Sequence, residues 1–478
     1  MLSAACSCQE KPAGNDTGND VKDKLSATVY TTSTAGKRME KTAVTLGKPE
    51  DVHSNTMSLN GDSFQTVDGF GFAVTQASCY NLLQMSVEDR SAFLEEVFSV
   101  DKGIGSSLVR VCIGGSDFSM DEFTWCDTPG IENFAVHELD KKYLFPILDE
   151  IFRINPSVRI IGSPWSCPRW MKVGDNLTSS YSAWTGGHLN PLYYKDYATY
   201  FVKWIQEMEK RGYPIYAVTL QNEPLNRGNS MSLYMGWEEQ RDFIKTAVGP
   251  AFEEAGLKTK ILLFDHNYNY DGIASQQDYP LRILEDADAA RYIAGSAWHN
   301  YGGNVSVLDK VHSAFPDKDI YFTEASIGTW NYTFNGCLIN DFKDIFLGTL
   351  GRFGKGVTLW NMMLDSDGKP YRPGGCATCF GAVTLSAKDH SLKGIIRNSH
   401  YYNVAHCSKV IRPGAVRLGT KGYTPDGVTC QWYRNPDGSY AVIILNQGAD
   451  ALLNLVTDKV SVPLRLTANS IQSVTWTE

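Results

Sequence analysis

The sequence predicts an α/β protein, a (β/α)8 TIM barrel with an accessory all-β sandwich built from both chain termini. Two observations carry this. Short apolar runs alternate with helical patterns eight times between residues 68 and 398, as in a parallel sheet covered on both faces. Outside that interval the patterning is all-β at both ends. The eight candidate strands are residues 69–74, 107–113, 159–162, 217–220, 260–264, 295–298, 320–323 and 356–359. Between them, Ser86-Val87-Glu88-Asp89 opens a helix with a capping signal ahead of Phe93, Leu94 and Val97. Residues 193–210 set Tyr197, Tyr200, Phe201, Trp204, Ile205 and Met208 at helical spacing, and 237–252 and 338–353 read the same way. Residues 24–68 show β-branched alternation, as in Ala27-Thr28-Val29-Tyr30-Thr31, and a turn signal at Asn60-Gly61-Asp62. After Ser399 the chain reads as strands again, including 440–445 and 471–476, with Asn435-Pro436-Asp437-Gly438 as a hairpin turn. The expected organisation is 1–25 as signal remnant and flexible lipoprotein tether, 26–67 as N-terminal sandwich strands, 68–398 as catalytic barrel and 399–478 as C-terminal sandwich.

Composition narrows the function classes. A net charge of −9 gives no general attraction to phosphate backbones, so no nucleic-acid partner is expected. No run of about 18 apolar residues exists to span a membrane. The 24 Tyr and 11 Trp serve either core packing or sugar stacking. Met1-Leu2-Ser3-Ala4-Ala5-Cys6-Ser7-Cys8 resembles the end of a bacterial lipoprotein signal, with Cys6 or Cys8 as the lipidated residue, but lacks the basic start and long apolar stretch of a full signal. A leader without function fits the same residues. The lipoprotein reading places the protein outside the cytoplasm, at the outer membrane or cell surface, with the periplasm as second choice. Cys376-Ala377-Thr378-Cys379 is a single CxxC without a second ligand pair, so a local disulfide or two loop thiols is expected there and no metal or cofactor.

In such a barrel the chemistry lies at the C-terminal strand ends. These deliver Arg110 and Asp117, Ser163-Pro164-Trp165-Ser166, Gln221-Asn222-Glu223-Pro224, Asp265-His266-Asn267, His299-Asn300-Tyr301, Glu324, and Trp360-Asn361. Amides and carboxylates that bind hydroxyls, with flat rings that stack on C–H faces, suit a neutral polyol. Glu223 and Glu324 both follow apolar strands, the fourth and seventh, whose ends can face each other across the mouth. Retaining glycoside hydrolysis needs such a pair, a nucleophile and an acid/base about 5–5.5 Å apart. Each neighbour also has a bland reading. Arg110 can be a barrel ion-pair residue, His299 a satisfied core histidine, Trp360 packing, Asp117 a loop cap, and Asp265 structural or substrate-binding.

With these residues in place the chain resembles glycoside hydrolase family thirty, the glucosylceramidase group. The resemblance runs through Val67-Asp68-Gly69-Phe70-Gly71, Asp117-Phe118-Ser119, Ser163-Pro164-Trp165-Ser166-Cys167-Pro168, Thr219-Leu220-Gln221-Asn222-Glu223-Pro224 and Phe322-Thr323-Glu324-Ala325 in order. It implies a retaining β-glycosidase with Glu324 as nucleophile and Glu223 as acid/base. It further implies Asn222 on the sugar 2-hydroxyl, Asp117 and Trp165 on other hydroxyls, and His299, Tyr301 and Trp360 as pocket wall. Arg110 would orient Glu324 and keep it ionised, while Glu223 would hold a proton near neutral pH. The loops at 180–190, 225–236 and 365–380 depart from the animal glucosylceramidase pattern, and the chain also resembles bacterial members acting on β-1,6-glucan. That substrate is expected first; an exo-acting glucosylceramidase type and a non-catalytic carbohydrate-binding protein are the alternatives.

Overall fold

The computed structural model describes residues 25–52 and 55–478. Cys6, Cys8 and most of the expected tether lie outside the described residues. Eight parallel strands form the barrel: β1 (Gly69–Phe72), β2 (Leu108–Cys112), β3 (Arg159–Ser163), β4 (Ile215–Thr219), β5 (Lys260–Asn267), β6 (Ile293–His299), β7 (Asp319–Glu324) and β8 (Gly354–Leu359). From β2 to β8 each pairs with its sequence neighbours, and β8 returns to β1 through Gly356↔Gly69 to Leu359↔Phe72. The seam between β1 and β2 is held by Ser107 N–H donating to the Phe70 carbonyl (3.0 Å) and Val74 N–H to the Arg110 carbonyl (2.8 Å). That closure needs glycine at position 71, where a Cβ would fall 2.0 Å from the Leu108 carbonyl oxygen.

The helices form where their apolar stripes require. Ser86 caps Val87–Phe98 by accepting from the Asp89 amide, and Phe93, Leu94 and Val97 are buried. Tyr194–Lys210 buries its whole expected stripe from Tyr197 to Met208. The pattern at 237–252 becomes Trp237–Phe243, a π-helical turn at Ile244–Val248, and Gly249–Glu254.

Side chains inside the barrel stack in layers, because a strand turns alternate residues inward. Leu108, Ile161, Ala217, Leu262, Ala297 and Tyr321 fill an apolar layer. Two positions further along, the inward residues become polar: Arg110, Ser163, Thr219, His299 and Thr323. At the mouth, β5 and β7 break alternation. In β5, Phe264 and Asp265 have φ of +71° and +66° and the register against β6 shifts. Leu263 and Phe264 therefore both face the outer helices and Asp265 swings inward. In β7 the register against β6 shifts before Glu324, so that both Thr323 and Glu324 point in.

The flanking strands hydrogen-bond as nine, in the order Glu40–Thr45, Ser26–Ser33, Ser470–Trp476, Tyr440–Asn446, Val428–Arg434, Val416–Gly422, Thr56–Thr66, Ala451–Val456 and Ser461–Leu466. A bridge between Gly47 and Ser461 joins the two ends, closing the sandwich. Tyr440, Val442 and Ile444 pack inside it with Trp432 and Trp476, while Ala441, Ile443 and Leu445 pack toward the barrel. The hairpin turn at Asn435–Gly438 forms as expected, with the Asn435 amide donating to the Ser439 carbonyl.

Two expectations are corrected. Asn60-Gly61-Asp62 does not end a strand; it lies within Thr56–Thr66. The Asp62 amide donates to Asn60 Oδ1 and Gly61 takes φ +95°, so the local turn becomes a bulge opposite Leu418–Thr420. The chain after Ser399 does not begin as strands. Ser399–Ser408 is a helix, and the strands resume at Val416. All ten of its residues are buried, so it carries no polar face to reveal a helical period.

Gly71→Ala should lower unfolding stability by about 2–3 kcal/mol, read as a shifted urea midpoint, because a rigid carbonyl blocks the added methyl. An unchanged midpoint would show that the β1–β2 seam tolerates spreading.

Candidate active site

The polar layer is built around one charge. The Arg110 side chain is wholly buried. Its Nη1 donates to Glu324 Oε2 (2.6 Å), and its Nη2 reaches Asp265 Oδ2 (2.7 Å), Asn222 Oδ1 (2.7 Å) and Ser163 Oγ (3.1 Å). Asp265 also accepts from Ser163 (2.6 Å), Thr219 (2.7 Å) and Thr323 (2.6 Å), which satisfies its oxygens in a dry interior. Its carboxyl lies well below the usual range: burial opposes this, but the charge of Arg110 and the bond to His299 outweigh it. Asp265 is thus the structural counter-ion, deciding between the two readings left open by sequence.

Above this layer stand the two glutamates. Glu223 has φ +43°, an uncommon backbone for a side chain of this size, and its amide donates to the Asp265 carbonyl (3.0 Å). Its Oε2 accepts from Asn226 (2.8 Å) and Asn229 (3.3 Å), and its Oε1 meets His299 Nδ1 (3.3 Å). Glu324 Oε1 accepts from the Tyr301 hydroxyl (3.0 Å). Glu223, Glu324 and His299 each place one oxygen or ring nitrogen within 4.8 Å of the others. Such a triad has the residue types of a metal site. Here Arg110, Tyr301 and Asn226 already donate to the carboxylate oxygens, so the arrangement is that of an acid pair.

His299 links the glutamate to the counter-ion, with its Nε2 2.9 Å from Asp265 Oδ1. Burial lowers the affinity of the imidazole for a proton, but Glu324, Asp265 and Glu223 raise its pKa to about 9. Glu223 moves the other way. Burial raises it, but the His299 bond, the charges of His266 and His299, and Asn226 bring it to about 2. Burial, with the charges of Glu223 and Asp265, pushes Glu324 up against the pull of His299 and Arg110. These directions favour the proton on His299 over Glu223, because the imidazole lies between two carboxylates. The sequence reading places a proton on Glu223 near neutral pH; a histidine at hydrogen-bond distance competes for it.

Both carboxylates open into a cavity of about 390 Å³, whose walls also include Asp117, Tyr301, Trp360, Asn226, Asn229 and Trp330. Asp117 is buried; burial and the charges of Glu324 and Glu223 keep its pKa well above the usual range. Trp165 stacks behind Trp360 with ring centroids 5.0 Å apart. Asp117 Oδ1 and Trp165 Nε1 are buried without a hydrogen-bond partner. Asn222 has its carbonyl committed to Arg110, which turns its amide nitrogen away from the guanidinium. His299 is not pocket wall: it is fully buried beneath the two glutamates. Sequence reasoning missed Asn226, Asn229 and Trp330, which lie on loops without periodic pattern. It also passed over Thr219 and Thr323, whose inward position follows from strand phase.

The description "Glycosyl hydrolase family 30 TIM-barrel domain" matches residues 67–411, and "Glycosyl hydrolase family 30 beta sandwich domain" matches residues 414–474. The solved structure of the endo-beta1,6-glucanase BT3312 is similar at 50% identity and TM-score 0.91, covering 95% of this chain and 100% of that one. Endo-1,6-beta-D-glucanase BGN16.3 of Trichoderma harzianum is 34% identical, over 82% of this chain and 80% of its own length. Lysosomal acid glucosylceramidase of Mus musculus is 26% identical, over 90% and 84%.

The His299 shift has a stability consequence. A folded pKa of about 9 against an ordinary 6.5 contributes stability that is full below pH 6.5 and lost as pH rises through 9. The wild type should lose about 3 kcal/mol across that window relative to His299→Asn. Paired melting curves at pH 6 and pH 9.5 measure this; parallel shifts in both proteins would refute the charged imidazole.

Proposed function

The chain belongs to glycosyl hydrolase family 30, whose members are retaining β-glycosidases, and we propose that it cleaves β-1,6-linked glucan internally, with Glu324 as nucleophile and Glu223 as acid/base. The observation that carries the reaction is that one oxygen of each carboxylate lies within 4.8 Å of the other. That separation suits direct attack by one carboxylate; an inverting enzyme holds them about 6.5–9.5 Å apart to admit a water. The substrate rests on the two similar glucanases, at 50% and 34% identity.

In this reading Glu324 attacks the anomeric carbon while Glu223 protonates the departing glycosidic oxygen, leaving a glycosyl ester on Glu324. Glu223 then takes a proton from water, which attacks the same carbon and restores the β configuration. Arg110 and Tyr301 hold the nucleophile from two sides, one hydrogen bond to each oxygen. The proton for the first step comes from the Glu223–His299 pair. Sugar entering the cavity displaces water, and a desolvated ion pair relaxes toward neutral imidazole and neutral carboxylic acid. Asp117, Trp165 and Asn222 bind hydroxyls of the first glucosyl unit. The unpartnered Asp117 Oδ1 and Trp165 Nε1 support this. Trp360 and Tyr301 flank the same unit. Export and an N-terminal lipid anchor at Cys6 or Cys8 belong to this proposal too, since an extracellular polysaccharide must be met outside the cytoplasm.

Glu324→Gln should reduce glucan hydrolysis about 10⁴-fold or more with the melting temperature retained. Wild-type rates in that variant are incompatible with the assigned nucleophile. A ladder of oligosaccharides released early from linear β-1,6-glucan is the expected product pattern. Glucose alone, or preference for glucosylceramide, would instead support the exo-acting alternative.

A further inference from the structure

Three tryptophans stand near the carboxylates, and one differs from the others. Trp165 and Trp360 are 2% and 3% exposed and stack on each other. Trp330 also lines the cavity but is 54% exposed. A large ring left open beside a polar cavity is a surface awaiting contact.

The position of this ring is imposed by its backbone. Ile327–Gly328 pairs antiparallel with Cys379–Phe380, and the Thr329 amide donates to the Thr378 carbonyl (2.9 Å). Gly328 lies directly under the indole, where a Cβ would come within 2.0 Å of the ring and 2.4 Å of the Thr378 oxygen. The Cys376–Cys379 disulfide closes the facing turn, and both cysteines line the cavity. The CxxC is thus a clamp on the segment facing Trp330.

We propose that Trp330 is the platform on which a glucosyl unit next to the first one stacks. This rests on the glycosidase reading above. The first glucosyl unit is flanked by the buried Asp117 and Trp360. A chain cleaved internally continues past that unit over the exposed rim of the same cavity, and Trp330 stands on that rim. A β-glucopyranosyl ring presents flat C–H faces, which complement an indole face without requiring a charged partner.

The test compares two substrates of one enzyme. β-Glucosyl fluoride has a single sugar and nothing beside it to touch Trp330, whereas linear β-1,6-glucan places a second sugar there. Trp330→Ala should lower kcat/KM on the glucan about 10- to 100-fold, mostly through KM, and leave the fluoride within about twofold. Trp330→Phe should restore most of the loss. The double variant Cys376→Ser/Cys379→Ser should weaken glucan turnover in the same selective way. Equal losses on both substrates, or no loss on the glucan, would overturn the proposal. Wild-type protein inert toward both substrates would instead overturn the glycosidase reading itself.

Discussion

A guanidinium sealed inside a barrel is costly unless its charge is answered, and Arg110 sets that condition for the whole site. Isolated, it would be driven out by its desolvation penalty; paired with Asp265 and Glu324 it becomes the fixed point of the mouth. The surrounding irregularities serve that pairing. The bulge at Phe264–Asp265 turns the counter-ion inward, and the shift in β7 brings Glu324 over the guanidinium. Ser163, Thr219 and Thr323 supply hydroxyls to Asp265, so that no oxygen of the buried anion depends on water.

From this fixed point the electrostatics extend upward in a chain. Asp265 accepts from one nitrogen of His299, whose other nitrogen faces Glu223. The result is a relay in which one anion, held down by Arg110, sets the proton affinity of an imidazole that in turn sets that of a carboxylate. Two glutamates with different neighbours can then take different parts in the proposed double displacement. One is gripped by an arginine and a tyrosine, the other by a histidine and two amides.

Much of this was visible in the sequence because a barrel ties position in a strand to position in space. Once the strands were placed, residues at and just past their C-terminal ends had to converge, and Glu223, Glu324, Arg110, Asn222 and Trp360 do. What escaped were features that interrupt a period. The two consecutive left-handed residues at 264 and 265 carry no glycine to advertise them. The helix at Ser399–Ser408 is buried all round and so lacks the polar stripe by which helices are recognised. At Asn60–Asp62 the turn chemistry is real, but pairing with Val416–Gly422 overrides it and leaves only a bulge. Trp330 is held by a two-residue ribbon too short to leave a pattern.

The sandwich draws a different consequence from chain connectivity. Strand Ser26–Ser33 finds its partner in Ser470–Trp476, at the far end of the sequence. A growing chain therefore releases Ser26–Ser33 long before this companion exists, with only Glu40–Thr45 on its other side. The barrel between them can collapse as its successive βα units emerge, but one edge of that hairpin stays open until residues 470–476 follow. A product cut short within the barrel thus keeps a sticky margin that the closed sandwich conceals.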